Sequence, residues 1–168
     1  MQWILDEPSS AAVLYDVKQA KGDKKALQKL IDEVISNVVN EHYFSYLFDK
    51  QGNKVKYSAK PQNYGMKSSG AQVLYYFDFM LSKPQLLQDN EFTLSTYDPT
   101  YYVSMYYDQP FHSAVDFSQL PENCHGEVLE PDVNEKLKAY ASSLDQSQRN
   151  EDDTLGAQFA QKVRLICK

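Results

Sequence analysis

The spacing of apolar positions divides the chain into a helical first quarter and a strand-rich remainder. Leu27, Leu30, Ile31, Val34 and Val38 recur at three- and four-residue steps, while Lys24, Lys25, Gln28, Lys29, Asp32 and Glu33 occupy the positions between them. One apolar stripe on an amphipathic helix satisfies that pattern, predicted over residues 23–41. The preceding stretch EPSSAAVLYDVKQAKG predicts a shorter helix, entered at Pro8, capped by Ser9 or Ser10 and stopped at Gly22. Residues 3–6 read as the end of a strand.

From Tyr43 the period falls to two. YFSYLFD and VKYSAK predict a hairpin turning near Gly52. The run from Ala71 to Leu81 is apolar on both faces, which places it at the centre of a sheet, with Phe77 and Phe79 on one face and Pro84 ending it. NEFTLSTYD and TYYVSMYYD read as two further strands. Asp98-Pro99 separates them, because proline offers no N–H and restricts the residue before it. An irregular stretch with Pro110 and Pro121 follows. Then come a strand CHGEVLE, a helix VNEKLKAYASSL, a polar loop DQSQRNEDD and a final strand KVRLIC. The expectation is one α+β domain over 1–168, with N-terminal helices packed on a mainly antiparallel sheet. Because MQWILDEPSS opens in mid-strand, a natural leader and a first strand are expected to precede it.

Charge narrows the partners. A formal net charge of −6 and a pI near 5.0 disfavour nucleic acid and anionic membrane surfaces, both of which need clustered Lys and Arg. No apolar run approaches the ~20 residues of a membrane span. Catalysis finds no support: there is no GxSxG, no phosphate-binding glycine loop and no dinucleotide fingerprint, and the carboxylates are scattered. The segment around Gly52 lacks the alternating acidic groups of a calcium loop. His42, His112 and His125 stand far apart, so the chain as it stands is expected to bind zinc weakly or not at all; His112 and His125 are the remaining metal candidates. The tyrosine-rich YDPTYYVSMYYD suits either a packed sheet or an aromatic ligand surface, and rings on both strand faces favour the packed sheet. Asp98 is expected to bond backbone N–H groups of Thr100 and Tyr101. Cys124 and Cys167, at the ends of strand-like runs, are compatible with two buried thiols or with one disulfide.

Taken together, NEHYFSYLFDKQGNKVKY, TYDPTYYVSMYYD and LGAQFAQKVRLIC resemble a known family over nearly the whole chain. It is the family of domain of unknown function one thousand and seven, described as a periplasmic component of ABC-type transport, and within it the Zev-type zinc-transport accessory branch. YDPTYYV carries most of the likeness, with Asp6-Glu7 and Ser10, and Leu155-Gly156 with Phe159-Ala160, as shorter matches. The resemblance implies a periplasmic protein of a Gram-negative bacterium, not an enzyme. It would deliver zinc, nickel or cobalt to an inner-membrane permease or dock on that permease. It also implies a Cys124–Cys167 disulfide. The family's His-Pro-His start, the obvious place for metal contact, is missing here, and its EF-hand-like insertion is reduced to KQAKGDKK. Asp6, Glu7, Tyr97, Asp98, Tyr101 and Tyr102 are the candidate binding residues on motif grounds. The alternative is a protein- or glycan-binding module that uses the tyrosine-rich sheet face without metal.

Overall fold

The computed structural model describes residues 1–100, 102–143 and 155–168. Tyr101 and the polar stretch 145–153 lie outside the described residues. The architecture is α+β, and every strand pairing is antiparallel. The chain, read above as one domain, divides by backbone packing into two compact units: residues 1–43 with 56–83, and residues 44–55 with 84–168. The strands correspondingly form two sheets, of three and five strands, where the sequence suggested one.

The first unit contains β1 (Gln2–Ile4), α1 (Glu7–Gln19), α2 (Lys24–Asn40), β4 (Gln62–Ser69) and β5 (Gln72–Asp78). As predicted, β5 is central, between β1 and β4. It is shorter than expected and one-sided: Val73, Tyr75 and Phe77 are buried, whereas Leu74 and Tyr76 are half-buried. The stripe of α2 supplies Ile31, Ile35 and Val38, which with Phe77 and Tyr43 make the core of this unit. Trp3 meets Phe77 edge-on, with ring centroids 5.0 Å apart.

Both helices start on aspartates. Asp23 accepts from the backbone N–H groups of Lys25 and Ala26. Asp6, not Ser9 or Ser10, caps α1 by accepting from Ser9 N at 2.8 Å. Ser10 lies deeper: it is fully buried, donating to the Leu5 carbonyl and accepting from Val73 N at 3.1 Å, so it ties α1 to β5. The Asp6-Glu7/Ser10 match therefore marks a helix entrance. The carboxyl of Asp6 is held below its usual range by the Ser9 side-chain and backbone hydrogen bonds.

The second unit contains β2 (Ser45–Asp49), β3 (Lys54–Val55), β6 (Glu91–Thr96), α3 (Phe111–Ala114), β7 (Cys124–Leu129), α4 (Glu135–Ser143), α5 (Leu155–Phe159) and β8 (Lys162–Cys167), with sheet order β3-β2-β6-β8-β7. The predicted hairpin at Gly52 is present, with Gly52 at φ +81°. Its second strand is only two residues long, because from Lys56 the chain enters the first unit, where Tyr57 bridges to Leu81. Cys124 faces Cys167 directly in the β7–β8 register, and the two form a disulfide. The expected strand through Tyr102–Asp108 does not exist; that segment is irregular.

Three measurements check this fold. Phe77 is 1% exposed and Phe79 is half-buried, so Phe77→Ala is expected to cost about 3–5 kcal/mol in denaturant melts and Phe79→Ala visibly less. The disulfide spans 43 positions, so replacing both cysteines by serine is expected to lower stability by about 4 kcal/mol on chain entropy. Denatured, unreduced protein should show no reactive thiol.

Candidate functional site

The five-stranded sheet has two unlike faces, fixed by register. Leu47, Phe92, Leu94, Val163, Leu165 and Val128 share one of them. The other carries Tyr46 and Phe48 on β2, Glu91, Thr93 and Ser95 on β6, Lys162, Arg164 and Ile166 on β8, and His125, Glu127 and Leu129 on β7. Both faces are partly covered: Phe92 is buried on the first and Tyr46 and Ser95 on the second, while Leu47, Leu94, Val128, Val163 and Leu165 are half-buried. On the polar face Arg164 pairs with Glu127 at 2.7 Å and lies 3.8 Å from Glu91. Tyr46 stacks on Tyr97 with centroids 4.5 Å apart, and the Lys54 ammonium sits 4.5 Å over the Tyr46 ring.

A groove of about 410 Å³ opens on this face, lined by the turn residues Asp49, Lys50 and Gly52, by Phe48, Glu91, Thr93, Ser95 and Tyr97, and by Ala157 and Lys162. Its size is within the ordinary range for small-molecule sites. The Asp49 carboxylate is spent on the turn, accepting from Gln51 N, Asn53 N and the Asn53 side-chain amide. Its pKa is lowered chiefly by the Asn53 side chain.

One residue beyond Tyr97 the chain changes role. Asp98 is 7% exposed and uses both carboxylate oxygens: Oδ1 accepts from Thr100 N at 2.8 Å and Thr100 Oγ1 at 2.7 Å, and Oδ2 accepts from Val103 N at 3.1 Å. Thr100 is an expected donor; Val103 is not. At the far end of the loop Gln161 accepts from Tyr107 N, and the Tyr107 hydroxyl meets Thr96 Oγ1 at 3.0 Å. Burial raises the Tyr107 pKa. The loop is thus fastened at Val103 and Tyr107, yet Tyr102 and Tyr106 are 75% and 72% exposed. Tyr97 stacks on Tyr46 and also borders the groove, and the packed-sheet expectation fails for Tyr102 and Tyr106.

The two family-motif stretches meet here. A Cβ built on Gly156 would lie 1.9 Å from the Asp98 carbonyl oxygen and 3.1 Å from the Tyr97 ring, so only glycine lets α5 approach this corner. Tyr97, Asp98, Val103, Ser104, Met105, Gly156, Phe159 and Ala160 enclose a cavity of about 20 Å³, room for one water. Asp6 and Glu7 belong to the first unit, at the start of α1. His112, on α3, and His125, on β7, are both exposed, and among the described residues no group of three or more His, Cys, Asp or Glu side chains is placed to hold a metal ion. Phe48, Thr93 and Lys162 escaped the sequence reading because only strand register brings them together.

Asp98 generates a prediction. Asparagine offers one acceptor oxygen and turns an N–H₂ toward Thr100 or Val103, so Asp98→Asn is expected to cost about 1 kcal/mol, more than its shape suggests. Asp98→Ala strips all three bonds and is expected to cost about 2–3 kcal/mol. Gly156→Ala, which drives a methyl into backbone, should be at least as damaging, at about 3 kcal/mol. Thermal and denaturant melts of the three variants check the order.

Comparison with known proteins agrees on kinship. An uncharacterized protein of Haemophilus influenzae (strain ATCC 51907 / DSM 11121 / KW20 / Rd) is 59% identical over all 168 residues, which span 80% of that relative's length. No solved structure matches. The family model described as "Protein of unknown function (DUF1007)" matches residues 1–167, and the chain belongs to that family.

Proposed function

We propose that this protein is a periplasmic, non-enzymatic accessory component of a divalent-metal transport system, serving zinc or else nickel or cobalt, and that it docks on an inner-membrane permease. The observation that carries the docking role is the fastened loop. Val103 and Tyr107 are held by the buried side chains of Asp98 and Gln161, while Tyr102, Val103 and Tyr106 stay 75%, 47% and 72% exposed. A loop ordered before binding loses little entropy on binding, and tyrosine supplies large contact area with few rotatable bonds. The Cys124–Cys167 disulfide suits an extracytoplasmic compartment. No helix among the described residues is long and apolar enough to cross a membrane, which accords with a protein that meets its permease from outside the bilayer. The metal assignment rests on the family resemblance in the motif stretches.

The same loop favours a second reading, a metal-independent protein- or glycan-binding module. One experiment separates the two. Cells lacking the protein are compared with cells carrying it, and with cells carrying Tyr102→Ser/Tyr106→Ser, for accumulation of zinc, nickel and cobalt at limiting supply. The expected result is a several-fold loss of one metal in the first and third strains, with the variant protein as stable as the parent to within about 0.5 kcal/mol. Unchanged accumulation of all three metals overturns the transport reading. If the variant nonetheless loses a partner that the parent retains on crosslinking, the second reading takes its place.

A further inference from the structure

The groove on the polar face of the five-stranded sheet is separate from the tyrosine loop, and it holds two ammonium groups on a chain of net charge −6. Four charged side chains line it: Asp49, Lys50, Glu91 and Lys162. The two carboxylates are already committed. Asp49 is ringed by turn donors, and Glu91 faces the Arg164 guanidinium. The two ammonium groups have no comparable set of partners. Lys50 reaches only the Asp89 carbonyl, at 3.4 Å, and Lys162 is exposed and makes no ion pair among the described residues. The walls and floor supply two rings, Phe48 and Tyr97, and the hydroxyls of Thr93 and Ser95. Tyr97 is braced from behind by its stack on Tyr46, which is itself only 7% exposed, so this part of the groove is rigid.

We propose that this groove is a binding site for a small organic anion: a molecule whose carboxylate or phosphate is met by Lys50 and Lys162 and whose planar or apolar part lies against Phe48 and Tyr97. Lys50 and Lys162 bring two ammonium groups into one concavity with no ion pair of their own among the described residues, so both can meet an anion directly. The rings supply the apolar contact, and Thr93 and Ser95 can donate to further oxygens. The inference does not depend on the metal-transport reading, because it concerns a different surface and is tested on purified protein without metal.

The probes are benzoate and phenyl phosphate, with benzamide as the neutral control of the same shape. Titration of the ¹⁵N-labelled protein is followed at the backbone amides of Thr93, Ser95 and Lys162. The expected result is saturable shifts at these amides with one or both anions, at least tenfold weaker binding of benzamide, and at least tenfold weaker anion binding by Lys50→Gln/Lys162→Gln. Thr93→Phe, which fills the floor, should abolish the shifts, while its own amide spectrum reports whether the variant is folded. A preference for benzoate or for phenyl phosphate identifies the charged group. Non-saturable shifts with both anions, binding of benzamide as tight as that of the anions, or full affinity in the double lysine variant overturns the proposal.

Discussion

The core of the first unit depends on the burial of Tyr43. His42, Tyr43 and Phe44 have φ values of 52°, 59° and 47°, a left-handed turn made by three residues none of which is glycine. Each such residue costs of the order of 1–2 kcal/mol. The turn is held because Tyr43 is 1% exposed, its ring stacked on Phe77 and Phe79 at 5.9 and 4.8 Å, and its hydroxyl donates to the Ser58 carbonyl at 2.9 Å. Burying a ring of that size contributes about 1.5–3 kcal/mol, and each good aromatic pair contributes about 0.5–1.5 kcal/mol more, so the strain is offset. Burial also raises the pKa of the hydroxyl, keeping it a donor. Immediately after this turn the Phe44 carbonyl accepts from Tyr97 N, and β2 begins in register with β6. The turn that closes on the core of the first unit is followed at once in the chain by the first strand of the second unit's sheet.

What the sequence made legible was whatever a single period encodes. The stripe of α2, the centrality of β5, the Gly52 hairpin and the final pair of strands all follow from spacing. β4 escaped because QNYGMKSS has few apolar positions, and its Gly65 lies under the end of the Tyr76 side chain. Tyr102–Asp108 misled in the opposite direction. Alternating rings imitate a strand, yet the backbone N–H groups of Val103 and Tyr107 go to Asp98 and Gln161 instead of a neighbouring strand. No local pattern records that competition. Pairing Gln161 with Tyr107 crosses 54 positions, and the groove draws on residues from 48 to 162. The cap of α1 went to Asp6 because its carboxylate sits one residue before the helix, where the first N–H groups point.

The end of β6 joins the two surface features. Tyr97 turns to the groove and stacks on Tyr46, while Asp98 turns the other way and fastens the tyrosine loop. Gly156 packs against both residues. Adjacent residues of a strand point in opposite directions, so two neighbouring side chains serve two separate surfaces while sharing one backbone. That economy explains why the motif stretches around residues 97–98 and 155–160 are found together in space.

The path of the chain through its two units has a consequence for the order in which it is made. Residues 1–43 and 56–83 supply all three strands of the smaller sheet, so that sheet is complete once Lys83 has been synthesised. The hairpin at 44–55 belongs to the other unit and has no sheet to join until β6 appears at Glu91. A growing or translocating chain therefore carries Leu47 and Phe48 on a partnerless two-stranded ribbon, marginal in water by itself, for at least the ~35 residues between Val55 and Glu91.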